Sequence, residues 1–519
     1  MQIVDNKVLI VRTRRPHLIT DVIKKSAVVN QEEDVYEVAV NWGLEEAQQL
    51  AKMRVKNVPS TIERDYDWTG KLKPFAHQKL TASFLTLNPK SFCFNEQGTG
   101  KTASAIWAAD FLMKQGLVRR VLVLCPLSIM KAAWQQDLFK FAMHRSCSIA
   151  HGAAKQRAKV LEAGSDFVIC NFDGLAVIKD EVMAGGFDLI IVDEASAYKN
   201  VTTNRWKVLK AVSDKCKWLW MMTGTPAAQS PLDAFGLIKL INQDAHPKYL
   251  GQFRDAVMYK VSQFRWVAKP SAKDFVHKQL QPAIRFERNQ CLDLPEVTFV
   301  ERDAPLTPQQ NAAYKMLKNQ MRMEAAGEEI SAINAAVQIN KLLQISGGSI
   351  YTDTKAVIDF DVSNRLEAVL EVVEEASHKV LIFVPFTHTI EVLHKYLTKH
   401  KIACEVINGK VPMNKRSEIV KQFQEEESPR VLIIQPQAAA HGLTLTAANT
   451  IIWYAPVTSV ETYLQANARI NRPGQKNAMT IVHIKGSEVE SRLYTMLQNN
   501  IMNHTKIIDL YRQEIEESS

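Results

Sequence analysis

Short apolar runs, each stopped by a polar, glycine or proline residue, alternate with stretches of helical periodicity over most of this chain. The first series is Val121-Leu-Val-Leu-Cys-Pro126, Phe167-Val-Ile-Cys170, Asp188-Leu-Ile-Ile-Val-Asp193 and Trp218-Leu-Trp-Met-Met222. A second follows as Val380-Leu-Ile-Phe-Val384, Ala403-Cys-Glu-Val-Ile407, Val431-Leu-Ile-Ile434, Thr450-Ile-Ile-Trp-Tyr454 and Met479-Thr-Ile-Val-His-Ile484. Near-continuous apolar strands separated by helices predict parallel sheets covered on both faces. The expected fold class is therefore α/β, with two parallel-sheet lobes over 71–240 and 363–519, the second ending in a helix over 488–517. Between them, 241–362 loses the strand pattern and reads as a helical insert and inter-lobe linker, with helices over 249–269, 308–326 and 332–344. Residues 1–70 read as a small α+β accessory module: β-like runs at Lys7-Val-Leu-Ile-Val-Arg12 and Val35-Tyr-Glu-Val-Ala-Val40, a helix over 44–53, and an extended link from Val58.

In parallel sheets ligands bind off the carboxyl ends of the strands, and that is where Gly98, Pro126, Asp193 and Thr223 fall. Phe92-Cys-Phe-Asn-Glu-Gln-Gly-Thr-Gly-Lys-Thr-Ala103 reads as strand, glycine loop and helix start, the context of a phosphate loop. Gly98, Thr99 and Gly100 would let backbone N–H groups close on phosphate oxygens, helped by the partial positive charge of the helix N-terminus. Lys101 can reach the β- and γ-phosphates and the Thr102 hydroxyl can ligate Mg²⁺. The full phosphate-loop pattern has glycine where this chain has Asn95. Asp193 can hold Mg²⁺ through water, and Glu194 can orient a water for attack on the γ-phosphate. Thr223-Gly-Thr-Pro226 places small hydroxyl residues at another strand end, positioned to sense that phosphate. In the second series, Gln465-Ala-Asn-Ala-Arg469-Ile-Asn-Arg472-Pro-Gly-Gln475 puts Gln465 and Arg469 four residues apart, on one helical face, with Arg472 a step further. Guanidinium groups of this kind stabilise transition-state charge on a transferring phosphate.

Composition changes this picture little. The chain has 519 residues, 46% hydrophobic and 23% charged, which suits two or three globular domains and argues against general disorder. A net charge of +9 suits a polyanion partner without requiring one. The seven cysteines show no C-x-x-C pairing and read as small core residues, neither zinc ligands nor disulfides. No secretory signal and no apolar run of membrane-spanning length is present in the sequence, so the expectation is a soluble protein of a bacterial or viral-host cytoplasm, without a membrane partner.

The order Phe75-Ala-His-Gln78, Asn95 through Thr102, Val123-Leu-Cys-Pro126 with Trp134, Asp193-Glu-Ala-Ser196, Thr223-Gly-Thr-Pro226, Val380-Leu-Ile-Phe-Val384, His441-Gly-Leu-Thr-Leu445 and Gln465 to Gln475 resembles the Swi/Snf-type ATPases of helicase superfamily two. Asn95-Glu-Gln is similar to that family's acidic-Glu-Met opening, and Leu294-Pro-Glu with Leu306-Thr-Pro-Gln resembles its inter-lobe stretch. The resemblance implies two RecA-like lobes with ATP and Mg²⁺ between them and sequence-independent contact with duplex or forked DNA. It implies that Gln78 reads adenine, that Gly442 and Gln465 border the nucleotide, and that Arg469 and Arg472 complete the site on closure. It places Ser128, Asn171, Thr387 and Thr444 near the DNA backbone. Ser196 stands where the family commonly has histidine, and Gln229 near a common asparagine. Gly-Leu-Thr-Leu replaces the frequent Gly-Leu-Asn-Leu, a variant similar to the annealing-helicase branch.

The function implied is an ATP-dependent duplex DNA translocase that remodels forks or protein–DNA complexes. Replication, recombination or nuclease proteins are its candidate partners. Competing readings are a strand-separating DNA or RNA helicase, the motor subunit of a restriction-type complex, and a DNA clamp without turnover. Intact Lys101, Asp193, Glu194, Arg469 and Arg472 argue against the clamp.

Overall fold

The computed structural model describes the chain except residues 69–72, 128, 225–229, 262–265, 288–290, 292–294, 326–331, 352–356, 440–442, 473, 500–509 and 511–519. It divides into two compact units, the first built on residues 1–226, 234–246 and 277–291, the second on 227–233, 247–276 and 292–519.

The first unit opens with a four-stranded antiparallel sheet in the order Gln2–Val4, Val8–Thr13, Val35–Asn41, Ser26–Glu32. One face buries Leu9, Val11, Val38 and Val40 together with Trp42 and Leu50. The segment after it, expected as an extended link, is instead tied down. Ile62 begins a helical turn, Ile62–Asp65, and joins Tyr66 in the core of the larger sheet. Buried Ser60 donates its backbone N–H to Ser83 Oγ (3.0 Å) and shares a hydroxyl hydrogen bond with Thr86 (2.7 Å). Tyr66 donates its hydroxyl to Asp110 (2.7 Å), and Trp42 donates its indole N–H to the Pro59 carbonyl (2.9 Å). The polar string Pro-Ser-Thr hides this because the Ser60 hydroxyl is satisfied by the Thr86 hydroxyl inside the protein.

The main sheet of this unit is seven-stranded and parallel, in the order Ala283–Ile284, Lys90–Cys93, Trp218–Met222, Leu189–Asp193, Val121–Cys125, Phe167–Asn171, Cys147–Ala150. Its apolar strands are almost wholly buried, as the sequence pattern predicts. Register matters for the chemistry: Met222 lies beside Cys93 on one side and Asp193 on the other, so three strands end level.

The second unit carries a six-stranded parallel sheet in the order Val297–Asp303, Met479–Lys485, Ala448–Trp453, Lys379–Phe383, Val431–Ile434, Cys404–Ile407. Where the sequence pattern has no strands between 240 and 360, the structure has several. Val297–Asp303 pairs along its whole length with Met479–Lys485 at the sheet edge, its outer positions largely solvent-facing. An edge strand keeps polar and charged residues, and Thr298, Glu301, Arg302 and Asp303 masked the apolar signal. The helix expected over 249–269 stops at Val257; Leu250–Val257 is followed by an antiparallel hairpin, Met258–Lys260 with Trp266–Ala268. Two long helices, Pro308–Ala325 and Ala332–Gly347, lie in the same interval. The last described helix is Glu488–Gln498; the continuation expected to 517 lies outside the described residues.

Two buried polar clusters hold this second unit together. Arg365 and Glu490 pair at 2.7 Å with side chains 3% and 0% exposed, and Glu490 Oε2 also accepts the backbone N–H groups of Gly486 and Ser487. His483, fully buried, is stacked on Tyr494 at 4.1 Å and hydrogen-bonded to the Tyr463 hydroxyl. Burial pushes the His483 imidazole down to about 4. The imidazole is thus neutral in the folded protein across a range where the unfolded chain takes up a proton, and stability present above pH ~6.5 is lost as pH falls toward 4. The expected loss is about 3 kcal/mol for the transition that unfolds this unit. Denaturant titrations at pH 7 and 4.5 on the wild type and His483→Phe check it: the variant should lose markedly less stability between the two, and equal losses would refute the assignment.

Candidate nucleotide site

The loop after Lys90–Cys93 turns through two left-handed glycines, Gly98 (φ 85°) and Gly100 (φ 81°), into the helix Lys101–Lys114. A Cβ on Gly100 would lie 2.1 Å from Gln78 Nε2, so backbone angle and close packing both require glycine there. Thr99 is buried and turns its hydroxyl back to the Glu96 carbonyl (2.7 Å). Lys101 Nζ lies across the loop, donating to the carbonyls of Asn95 (2.8 Å) and Glu96 (3.2 Å). Thr102 occupies the second position of the helix.

Asn95, the departure from the phosphate-loop pattern, is 1% exposed and works as a clamp. Its Nδ2 donates to Thr81 Oγ1 (2.8 Å) and its Oδ1 accepts the Phe286 backbone N–H (3.0 Å). It fastens the loop to the helix Ala76–Leu87 on one side and to the segment after Ala283–Ile284 on the other. Sequence reading identified the substitution but not this role, because Phe286 is distant in the chain.

Gln78 and His77 both reach the Thr99 carbonyl, at 3.1 and 2.8 Å, while Gln78 Oε1 accepts the Phe75 N–H (3.0 Å). Both ends of the Gln78 amide therefore engage the protein, capping a helix and bracing the phosphate loop. Asp193 ends its strand level with Cys93, half-buried, with Oδ2 accepting the indole N–H of Trp134 (2.9 Å). Burial pushes its carboxyl up, opposed by the nearby Lys101 charge and by the Trp134 hydrogen bond. Glu194 is left-handed (φ 63°), which turns its side chain toward the neighbouring strand end, where Thr223 donates a hydroxyl to it at 3.1 Å. Ser196, standing at the family's histidine position, also donates to Glu194, at 3.4 Å. Lys101, Thr102, Asp193, Glu194 and Thr223 thus follow the carboxyl ends of three neighbouring strands of one sheet.

In the second unit, Gln465 lies in the helix Val460–Asn467 and Arg469 two residues past its end. Arg469 is 2% exposed and donates to the carbonyls of Gln465 (2.8 Å) and Leu443 (3.2 Å). Arg472 donates to the Ala468 carbonyl (3.0 Å) and to Thr444 Oγ1 (3.0 Å). Gln475 is buried and fixes the turn through the Ala448 carbonyl (2.8 Å).

Of the residues assigned to DNA by resemblance, Asn171 ends the strand Phe167–Asn171 and accepts from Arg157 (3.1 Å), an arginine that sequence reading did not single out. Thr387 starts the helix Thr387–Lys399, and Thr444 is the hydroxyl held by Arg472. Ser128 and Gly442 lie outside the described residues, as does Gln229. Phe253 is buried against Phe275 (5.8 Å between rings), and Arg254 stacks on Trp266 at 4.2 Å. Phe264 and Arg265 are outside the described residues.

All seven cysteines are free, and burial pushes the Cys93 and Cys170 thiols up to about 11. No helix among the described residues is long and apolar enough to cross a membrane.

An uncharacterized ATP-dependent helicase of Mycoplasma genitalium is 25% identical over 78% of this chain and 39% of its own length. The chain thus spans well under half of that relative. A putative protein of Acyrthosiphon pisum secondary endosymbiont phage 1 is 24% identical over 78% of this chain and 90% of its own length. Among solved structures, the Sulfolobus solfataricus SWI2/SNF2 ATPase core in complex with dsDNA is 21% identical over 83% of this chain and 92% of that one, with a TM-score of 0.41. Residues 364–474 match the helicase conserved C-terminal domain. Residues 38–347, more than half of the chain, match the SNF2-related domain, and the chain belongs to that family.

Proposed function

We propose that this chain is an ATP-dependent duplex DNA translocase that remodels forks or protein–DNA complexes. The observation that carries the reading is that Lys101, Asp193, Glu194 and Thr223 gather at the carboxyl ends of three neighbouring strands, with Lys101 close enough to act on the Asp193 charge. Phosphate oxygens would compete with the Asn95 and Glu96 carbonyls for the Lys101 donors. Glu194, held by two hydroxyls, is the group to orient an attacking water. Thr223 touches that carboxylate directly, which supports a role in reporting phosphate occupancy. Arg469 and Arg472 would approach the γ-phosphate from the second unit during turnover, and Gln465 would border it. Gln78 would exchange its Phe75 and Thr99 partners for adenine.

Asp193 and the Thr102 hydroxyl fit Mg²⁺, a hard cation usually held by one or two carboxylates and substrate phosphates. The described residues contain no cluster of three or more His, Cys, Asp or Glu that would hold a metal unaided. When bound, Mg²⁺ would neutralise charge on the β- and γ-phosphates.

Contacts with DNA would be to the backbone, hence sequence-independent and weakened by salt. Asn171, Thr387 and Thr444 are the described candidates. Cytoplasmic location and replication, recombination or nuclease partners belong to the same proposal. Strand separation is the second reading, favoured by the name of the Mycoplasma relative, an ATP-dependent helicase.

ATPase activity titrated with duplex, forked, single-stranded DNA and RNA tests the substrate class. Stimulation by duplex or forked DNA is expected, and stimulation by RNA alone would overturn it. A strand-displacement assay separates the two readings: processive unwinding of a long duplex supports the second. Lys101→Ala should lower turnover by about 10²–10³-fold, as loss of one electrostatic donor does. An unchanged rate would dismiss this site.

A further inference from the structure

Asp193 has to keep one orientation if a cation is to find it, and it stands half-buried at a strand end. The side chain that grips it comes from a different element. Trp134, itself 0% exposed, donates its indole N–H to Asp193 Oδ2 at 2.9 Å. It lies in a six-residue π-helical turn, Met130–Gln135, that runs on into the helix Gln136–Phe141. Such wide turns are rare and are found mostly at functional sites, because the extra residue re-aims side chains. This one follows the strand Val121–Cys125, which is paired in register with Leu189–Asp193 through Leu124 and Val192.

Satisfaction of a buried indole is an insufficient explanation for the contact. Trp107 and Trp218 are equally buried in the same unit, and their indole N–H groups have no hydrogen-bond partner among the described residues. The fold tolerates orphaned indoles elsewhere and spends this one on the carboxylate of the candidate cation site.

We propose that Trp134 is a positioning residue for the divalent cation. By holding Oδ2 it fixes the rotamer of Asp193 and the direction of the oxygen that Mg²⁺ would meet. This rests on the nucleotide reading above. Outer residues that orient a metal-binding carboxylate typically cost 10–100-fold in metal affinity when removed.

Trp134→Phe keeps the ring and deletes the donor. The probe is equilibrium binding of a fluorescent non-hydrolysable ATP analogue, titrated with Mg²⁺ in the absence of turnover. The Mg²⁺ concentration for half-maximal enhancement of binding should rise about tenfold or more, while affinity without Mg²⁺ stays at the wild-type value. A packing role alone would lower both or neither. Asp193→Asn keeps the two hypotheses apart. If it leaves the Mg²⁺ enhancement intact, the site reading itself is wrong. If it removes the enhancement and Trp134→Phe does not shift the midpoint, only the positioning role is lost. Should Trp134→Phe not fold, ¹⁵N-indole spectra of the wild type decide: one indole N–H signal should move both with Mg²⁺–analogue and in Asp193→Asn. The absence of any such signal would overturn the proposal.

Discussion

Arg472→Ala should lower ATP turnover by about 10³–10⁵-fold, the contribution of an arginine that meets a transferring phosphate, with nucleotide affinity and thermal midpoint close to wild type. It is half-buried, and its contacts include one backbone carbonyl and the Thr444 hydroxyl. Arg469 differs, being 2% exposed and fastened to the carbonyls of Gln465 and Leu443. Arg469→Ala should therefore lose turnover and also stability, since buried carbonyls lose their donors. Single-turnover ATPase rates measured beside melting curves separate the two. An Arg472→Ala enzyme with near-normal turnover would remove this arginine from the chemistry and with it the proposal that the second unit supplies charge to the phosphate.

Glu490→Ala should destabilise the second unit by about 3–5 kcal/mol, because deleting one partner of a buried ion pair leaves the other charge uncompensated. Arg365 would remain 2% exposed with only the Tyr454 carbonyl and ring for company, and the backbone N–H groups of Gly486 and Ser487 would lose their acceptor. Replacing both partners, Arg365→Met with Glu490→Leu, should cost much less than the single change. Urea unfolding of the single and double variants checks it. A single variant as stable as the wild type would show that this pair is energetically idle.

The two parallel sheets were legible because a strand buried on both faces writes an unbroken apolar run, as in Leu189–Asp193 and Val431–Ile434. Two edge strands escaped the same reading: Val297–Asp303 mixes apolar with charged residues, and Ala283–Ile284 is only two residues long. The hairpin after Val257 was lost because its aromatic and basic residues suit helix or strand equally well. At the site, chemistry carried by sequence-local pattern was visible, as in Gly98 to Thr102 and Asp193-Glu194. Supports that depend on distant pairings were not. Asn95 meeting Phe286, Thr223 meeting Glu194 and Arg472 meeting Thr444 are separated by 191, 29 and 28 positions, and no periodicity encodes such distances.

The stapling of Ser60 and Tyr66 into the larger sheet's core bears on how the molecule can be shortened. Tyr66 is one of the donors to Asp110, which sits on the phosphate-loop helix and also binds Arg145 (2.6 Å) and His144 (2.9 Å). A trimmed version starting near residue 73 would strip a hydroxyl from that carboxylate and uncover Ile62's berth. Such a minimal motor would be expected to precipitate or digest readily, whereas a protease acting on the intact protein should spare the 58–66 stretch until the whole first unit opens.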